Sequence, residues 1–157
     1  MNRLPKGLLR QPLHLLSLGF GLGAIPFAPG TFGTLLGVLI YLGLQLVPLV
    51  YYLIILVLLF YVGVVACGLT AQALGAEDPS PVVFDEVVGY LIAMTAAPSG
   101  WPWVVAGFVL FRMFDIWKPW PIRSLERRVR GGLGIMLDDA LAAGYTWLVL
   151  RVAAELA

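Results

Sequence analysis

Two acidic pairs, Asp85-Glu86 and Asp138-Asp139, and a lone Asp115 interrupt a chain that is otherwise almost wholly apolar. Carboxylates brought together from separate segments form an oxygen-only shell. Such a shell suits Mg²⁺, which keeps several waters and shares its coordination with a phosphate. His14 is the only histidine and Cys67 the only cysteine, too few for a multi-Cys zinc site or an internal disulfide. Each acidic pair taken alone reads equally well as a charged helix end, since the dipole at a helix start favours negative charge. Asp115 sits instead at the C-terminal end of its apolar segment, where the dipole is adverse. Arg112 and Lys118 stand three residues to either side of it, so a structural ion pair competes with a functional role. Ionisable groups at membrane depth are costly and mark functional sites by default.

A second constellation is rich in glycine and proline: Gly19-Phe-Gly-Leu-Gly23, then Pro26-Phe-Ala-Pro-Gly-Thr-Phe-Gly-Thr34. A Pro-Gly-Thr turn entering a helix presents free N–H groups and hydroxyls, which makes residues 29–34 a candidate anion site. The spacing is not that of a Walker loop, and a Gly/Pro hinge before a membrane span is the competing reading. His14, just upstream, is a candidate catalytic group or an interfacial hydrogen-bonding residue.

These residues must be held by membrane helices. The 157-residue chain is 61% hydrophobic and 12% charged, with mean hydropathy +0.93, whereas soluble domains carry about 25% charged residues. Lipid must therefore cover part of the surface. The net charge of +1 gives no global case for nucleic-acid binding. Between Arg10 and Arg112 there is no Lys or Arg; the other basic residues are Arg3 and Lys6, then Lys118, Arg123, Arg127, Arg128 and Arg130, and finally Arg151. The positive-inside rule places the N-terminal tail and residues 118–130 in the cytoplasm, with an even number of crossings between them. Apolar segments at about 32–47, 49–74, 82–97 and 101–117 supply four, and about 135–154 a fifth. The third and fourth, at 16–17 residues, are near the lower limit for crossing, and a re-entrant segment is the alternative. Residues 119–130 read as an interfacial helix, with Ile122, Leu125 and Val129 on one face between flanking tryptophans and arginines. The expected fold is all-α: a single polytopic domain over 1–157, of about five membrane helices plus one amphipathic helix. The glycines and prolines of 19–30 break the first apolar stretch, so no cleaved leader is expected. All five candidate carboxylates then fall at the cytoplasmic side.

Four blocks carry a family resemblance: His14-Leu-Leu with Gly19-Phe-Gly and Pro29-Gly-Thr-Phe-Gly-Thr34; Asp85-Glu-Val-Val-Gly89; Phe111-Arg-Met-Phe-Asp-Ile-Trp-Lys-Pro-Trp-Pro-Ile-Arg123; and Gly131-Gly-Leu-Gly-Ile-Met-Leu-Asp-Asp139. In these the chain resembles the phosphatidylglycerophosphatase A family of bacterial membrane enzymes. The resemblance implies Mg²⁺-dependent hydrolysis of the phosphomonoester of phosphatidylglycerol phosphate, a phospholipid, at the cytoplasmic (inner) membrane. Asp85, Glu86 and Asp115 become catalytic candidates, and together with Asp138 and Asp139 candidate metal ligands. Gly30, Thr31, Thr34, Arg112, Lys118 and Arg123 become candidate phosphate-binding residues. Glu86 is the first choice of general base, though Asp85 is not cleanly separated from it. A covalent aspartyl-phosphate is less favoured, because no Asp-x-Asp motif is present. The main rival is a transporter with intramembrane carboxylates, which should show repeated halves and acids spread through the membrane. CDP-alcohol phosphotransferases and histidine-based lipid phosphatases need motifs that are absent, and a purely structural subunit leaves the carboxylates unexplained. Oligomeric state has no sequence signal.

Overall fold

The computed structural model describes Pro5 and residues 7–156; Arg3 and Lys6 of the basic tail lie outside the described residues. The described chain is helical, without strands. Helix α1 is Pro12–Ser17, flanked by 3-10 turns at Leu8–Arg10 and Gly19–Ala24. It is followed by α2 (Pro29–Leu44), α3 (Leu49–Leu74), α4 (Phe84–Ala93), α5 (Trp101–Trp117), α6 (Ile122–Glu126) and α7 (Gly131–Leu156).

Helices α3 and α5 occupy the ranges their apolar runs predict. Gly75, at φ 68°, caps α3 by turning its N–H back to the carbonyls of Ala71 and Gln72. Pro102 lies in the first turn of α5, where its missing N–H costs no hydrogen bond. Lys118, at φ 47°, ends that helix ahead of Pro119. The amphipathic piece is shorter than expected, five residues in α6, although Ile122 is fully buried as its apolar stripe requires. Helix α7 starts at Gly131 rather than near 135.

The largest departure is α4. Residues 82–97 read as a membrane span, but only ten of them, Phe84–Ala93, form the helix. At 1.5 Å per residue that is about 15 Å, half a hydrocarbon layer. The Val83 N–H donates to the Ser17 carbonyl at 2.9 Å, which holds the preceding strand of chain outside the helix. Beyond the helix, Ala96 turns at φ 52°. Nearly every α4 side chain is buried, packed by α2, α3, α5 and α7. Protein rather than lipid therefore surrounds it. The Tyr52 hydroxyl donates to the Leu91 carbonyl at 2.6 Å, satisfying a group in the last turn of α4 that the helix leaves open.

Small residues permit this close cladding. On α2, Gly33 and Gly37 face α4. A Cβ at Gly33 would fall 2.7 Å from the Val83 carbonyl oxygen, and one at Gly37 would fall 3.1 Å from that of Val87. Where α3 meets α7, a Cβ on Gly132 would run into the Val64 carbonyl and lie 2.8 Å from the Gly68 nitrogen. Small residues at such crossings let helix backbones approach closely.

Two helices, α3 and α7, are long and apolar enough to cross a membrane; α2 is apolar but shorter. Large apolar side chains point outward from α3 (Val50, Ile54, Val57, Leu58, Tyr61) and α5 (Val105, Val109, Ile116). Exposed apolar surface of this kind suits contact with lipid.

Gly132→Val should lower the unfolding midpoint in detergent, by at least about 2 kcal/mol of stability, because backbone atoms cannot yield to the added side chain. Gly144 has open space around it, so Gly144→Ala should leave the midpoint unchanged or raise it. Equal effects of the two substitutions would rule out glycine packing at this crossing as a determinant of stability.

Candidate active site

The helix termini sort into two ends. At one end the start of α2, the start of α4, the end of α5 and the first turns of α7 surround a cavity of about 290 Å³. At the other end a smaller depression is lined by the end of α2, the start of α3 and the chain after α4, including Tyr41, Gln45, Tyr52, Met94 and Ser99. No acidic or basic side chain lines this second depression, whereas the first holds six carboxylates and two cations: Asp78, Asp85, Glu86, Asp115, Asp138 and Asp139, with Arg112 and Lys118.

Asp85 and Glu86 occupy the first turn of the buried helix α4, where the dipole supports negative charge. Asp138 and Asp139 were expected at the start of the last helix. They lie two turns inside it, because the glycine-rich residues 131–134 are already helical and pack α7 against α3. One oxygen each from Asp85, Glu86 and Asp139 falls within 4.8 Å of the others. Asp85 Oδ1, Glu86 Oε2, Asp138 Oδ1 and Asp139 Oδ2 are buried with no hydrogen-bond partner among the described residues. Buried carboxylate oxygens left open in this way lack the compensation that burial demands. A divalent cation bound there would supply it, and the all-oxygen donor set fits Mg²⁺.

The two cations are held by the outer acids. Arg112 pairs with Asp115 one turn below it and lies 3.8 Å from Glu86 Oε1. The anticipated ion pair is thus present, and it occupies Asp115 at the cavity rim. Arg112 Nε has no partner. Lys118 pairs with Asp138, and with Glu126 at 3.0 Å. Burial works against its charge, but the hydrogen bonds to these two carboxylates outweigh it and hold the lysine above its usual range. Gly30 closes the cavity on the α2 side. A Cβ there would meet Glu86 Oε1 and lie 3.0 Å from Arg112 Nη1.

Eight of the sequence candidates therefore share one cavity: Gly30, Asp85, Glu86, Arg112, Asp115, Lys118, Asp138 and Asp139. Four do not line it. Thr34 is fully buried, and its hydroxyl donates to the Gly30 carbonyl at 2.9 Å, as a threonine one turn into a helix commonly does. Thr31 contributes its N–H to the Ala28 carbonyl. Arg123 lies beside a neighbouring groove. His14 Nδ1 is 2.8 Å from Thr70 Oγ1, and Ser17 Oγ is 2.6 Å from the same oxygen, a buried polar knot tying α1 to α3. Sequence reasoning missed Asp78 and Ser80, which line the cavity, and Glu126, which holds Lys118. Their one signal was the polar stretch 75–81, whose fold back over the site depends on tertiary packing.

Residues 15–154 match the model of the phosphatidylglycerophosphatase A family. A phosphatidylglycerophosphatase A of Escherichia coli is 43% identical, covering 85% of this chain and 78% of that relative. Another from Haemophilus influenzae is 44% identical over 95% of this chain and 93% of the relative. A putative phosphatidylinositol-3-phosphatase of Bacteroides thetaiotaomicron is also 44% identical, over 88% and 91%. No solved structure matches the chain.

Removing Arg112 strands Glu86 and Asp115 without their cation. Arg112→Met should lower stability by about 3 kcal/mol, read as a lower unfolding midpoint in detergent. Adding Glu86→Gln should recover part of that loss, since it removes one of the stranded charges. Additive losses in the double variant would mean that the two side chains are not energetically coupled.

Proposed function

The chain belongs to the phosphatidylglycerophosphatase A family, and from that premise we propose that it removes the terminal phosphate of phosphatidylglycerol phosphate using Mg²⁺ held by Asp85, Glu86 and Asp139. The observation that carries this reading is the buried carboxylate triad: one oxygen from each converges within 4.8 Å, and each carboxylate has an oxygen without a hydrogen-bond partner among the described residues. A phosphate dianion would be repelled by six carboxylates facing two cations. Bound Mg²⁺ would offset part of that negative charge, polarise the phosphoryl group and lower the pKa of a bound water.

The protein's own groups divide the remaining work. Arg112, with its open Nε, and Lys118 neutralise phosphate oxygens, whose charge is spread in the transition state. Asp115 and Asp138 orient these two cations through their ion pairs. Glu86, the triad member that also faces Arg112 at 3.8 Å, would accept a proton from the attacking water. The new P–O bond forms to that water, the ester P–O bond breaks, and the departing glycerol oxygen takes a proton. Phosphatidylglycerol and inorganic phosphate are the products. The name of the Bacteroides relative gives a second lipid to try, phosphatidylinositol 3-phosphate, which shares the phosphomonoester on a polyol headgroup. A transporter would spread its acids along the membrane normal, whereas these cluster at one end.

The same end carries Arg123, Arg127, Arg128 and Arg130, and the positive-inside rule turns it toward the cytoplasm of a bacterial inner membrane. Helices α2, α3, α4, α5 and α7 then alternate in direction as five membrane-embedded segments, of which α4 is sheathed in protein.

Purified protein should release phosphate from phosphatidylglycerol phosphate with Mg²⁺ and stop in chelator; turnover that survives chelation would remove the metal from the proposal. Asp85→Asn and Asp139→Asn should each cost at least about a hundredfold in kcat/KM. Asp115→Asn, acting through Arg112, should cost on the order of tenfold, mainly in KM. A loss as large as that of Asp139→Asn would make Asp115 a metal ligand instead. Glu126→Cys should react with a membrane-impermeant thiol reagent only from the cytoplasmic side, the buried Cys67 staying silent. Labelling from the opposite side would invert the topology.

A further inference from the structure

A third depression, of about 440 Å³, adjoins the carboxylate cavity and has no part in the chemistry above. Its lining has the opposite character. Trp117, Lys118, Trp120, Arg123, Ser124 and Arg127 surround it, with three cations and no carboxylate. Lys118 lines both depressions and forms the partition between them. Arg123 Nη2 donates to the Trp117 carbonyl at 3.4 Å, which keeps its guanidinium beside the groove. Among the described residues neither Arg123 nor Arg127 has a carboxylate partner. Trp117 and Trp120 are 64% and 80% exposed. Exposed tryptophans beside arginines mark the headgroup layer of a membrane.

The proposed substrate carries two phosphates, a terminal monoester and the diester that joins its glycerol to the lipid. If the monoester occupies the carboxylate cavity, the diester is one glycerol away. It is an anion without a leaving role, and the carboxylates would repel it. The adjoining groove offers what it needs: unpaired guanidinium groups that recognise phosphate oxygens in a fork geometry. In the orientation proposed above, its exposed tryptophans put the groove in the headgroup layer, where the diester of a bilayer lipid resides. We infer that Arg123 and Arg127 bind the phosphodiester of the same lipid molecule, so that the enzyme grips its substrate by both phosphates with Lys118 between them. This rests on the phosphatase reading and extends it from the reacting group to the means of selection. A phosphomonoester lacking the neighbouring diester would then bind without half of its anchoring.

Product inhibition separates the two sites. Phosphatidylglycerol retains the diester and lacks the monoester, and inorganic phosphate is its complement. Short-chain phosphatidylglycerol, kept below its micelle concentration to remove surface-charge effects, and inorganic phosphate would each be tested against wild type and Arg123→Gln/Arg127→Gln in neutral detergent. The inhibition constant for short-chain phosphatidylglycerol should weaken about tenfold or more in the variant. That for inorganic phosphate should stay within about twofold. Replacing both arginines by lysine should recover only part of the loss, since the charge returns without the fork. Unchanged inhibition by phosphatidylglycerol would overturn the inference, and so would equal weakening of both inhibitors, which would indicate a distorted site. Failure of wild type to release phosphate from phosphatidylglycerol phosphate would instead overturn the parent assignment.

Discussion

Like charges brought together away from water are the constraint around which this molecule is built. Oxygens of Asp85, Glu86 and Asp139 approach within 4.8 Å of one another inside the helical packing. At an effective dielectric of about 20, each such pair of full charges repels by roughly 3–4 kcal/mol. Nothing in an apolar core would assemble such a group for stability. It persists because the surrounding scaffold fixes it from several directions, and because counter-charges stand near, Arg112 and Lys118 on the rim. Strain of this kind at a functional centre is offset by packing elsewhere.

That packing centres on α4. By running through the interior, it delivers its first-turn carboxylates to a cavity walled by the surrounding helices. Its neighbours must come unusually near, and Gly33 and Gly37 of α2 allow this. Gly89 of α4 repeats the device, since a Cβ there would lie 2.7 Å from the Phe111 ring and 3.0 Å from Asp139 Cβ. The same close approach that makes the core dense brings Asp139 to Asp85 and Glu86. Packing and chemistry therefore draw on one set of small residues.

Much of this was legible in the residues, and the exceptions have physical causes. Helices α3 and α5 follow from unbroken apolar runs with proline or glycine at their ends. The carboxylates converge as charge distribution alone suggested. Helix α4 was read too long because Val82, Val83 and Met94 are as apolar as the helix itself, and hydropathy does not distinguish a side chain facing lipid from one facing protein. Asp78 and Ser80 enter the site through a loop whose path depends on tertiary contacts. Thr34 and His14 lie away from the cavity for a related reason. A hydroxyl or imidazole in an apolar setting needs a partner, and both found theirs in the fold: the Gly30 carbonyl and the Thr70 hydroxyl.

The unequal lengths of the helices bear on the bilayer itself. Helices α3 and α7 have 26 residues each, while α2 has 16 and α5 has 17. At 1.5 Å per residue the longer pair reaches about 39 Å and the shorter pair about 24–26 Å. With α2 and α5 embedded as proposed, lipid beside them would meet a hydrophobic wall thinner than a typical hydrocarbon layer of roughly 30 Å and would accommodate by compressing. Each short helix has one terminus at the carboxylate cavity, the start of α2 and the end of α5. A dimple in the membrane there would lower lipid headgroups toward the reactive oxygens, so that the bilayer's own elasticity carries part of the work of bringing an anchored phosphate to a recessed site.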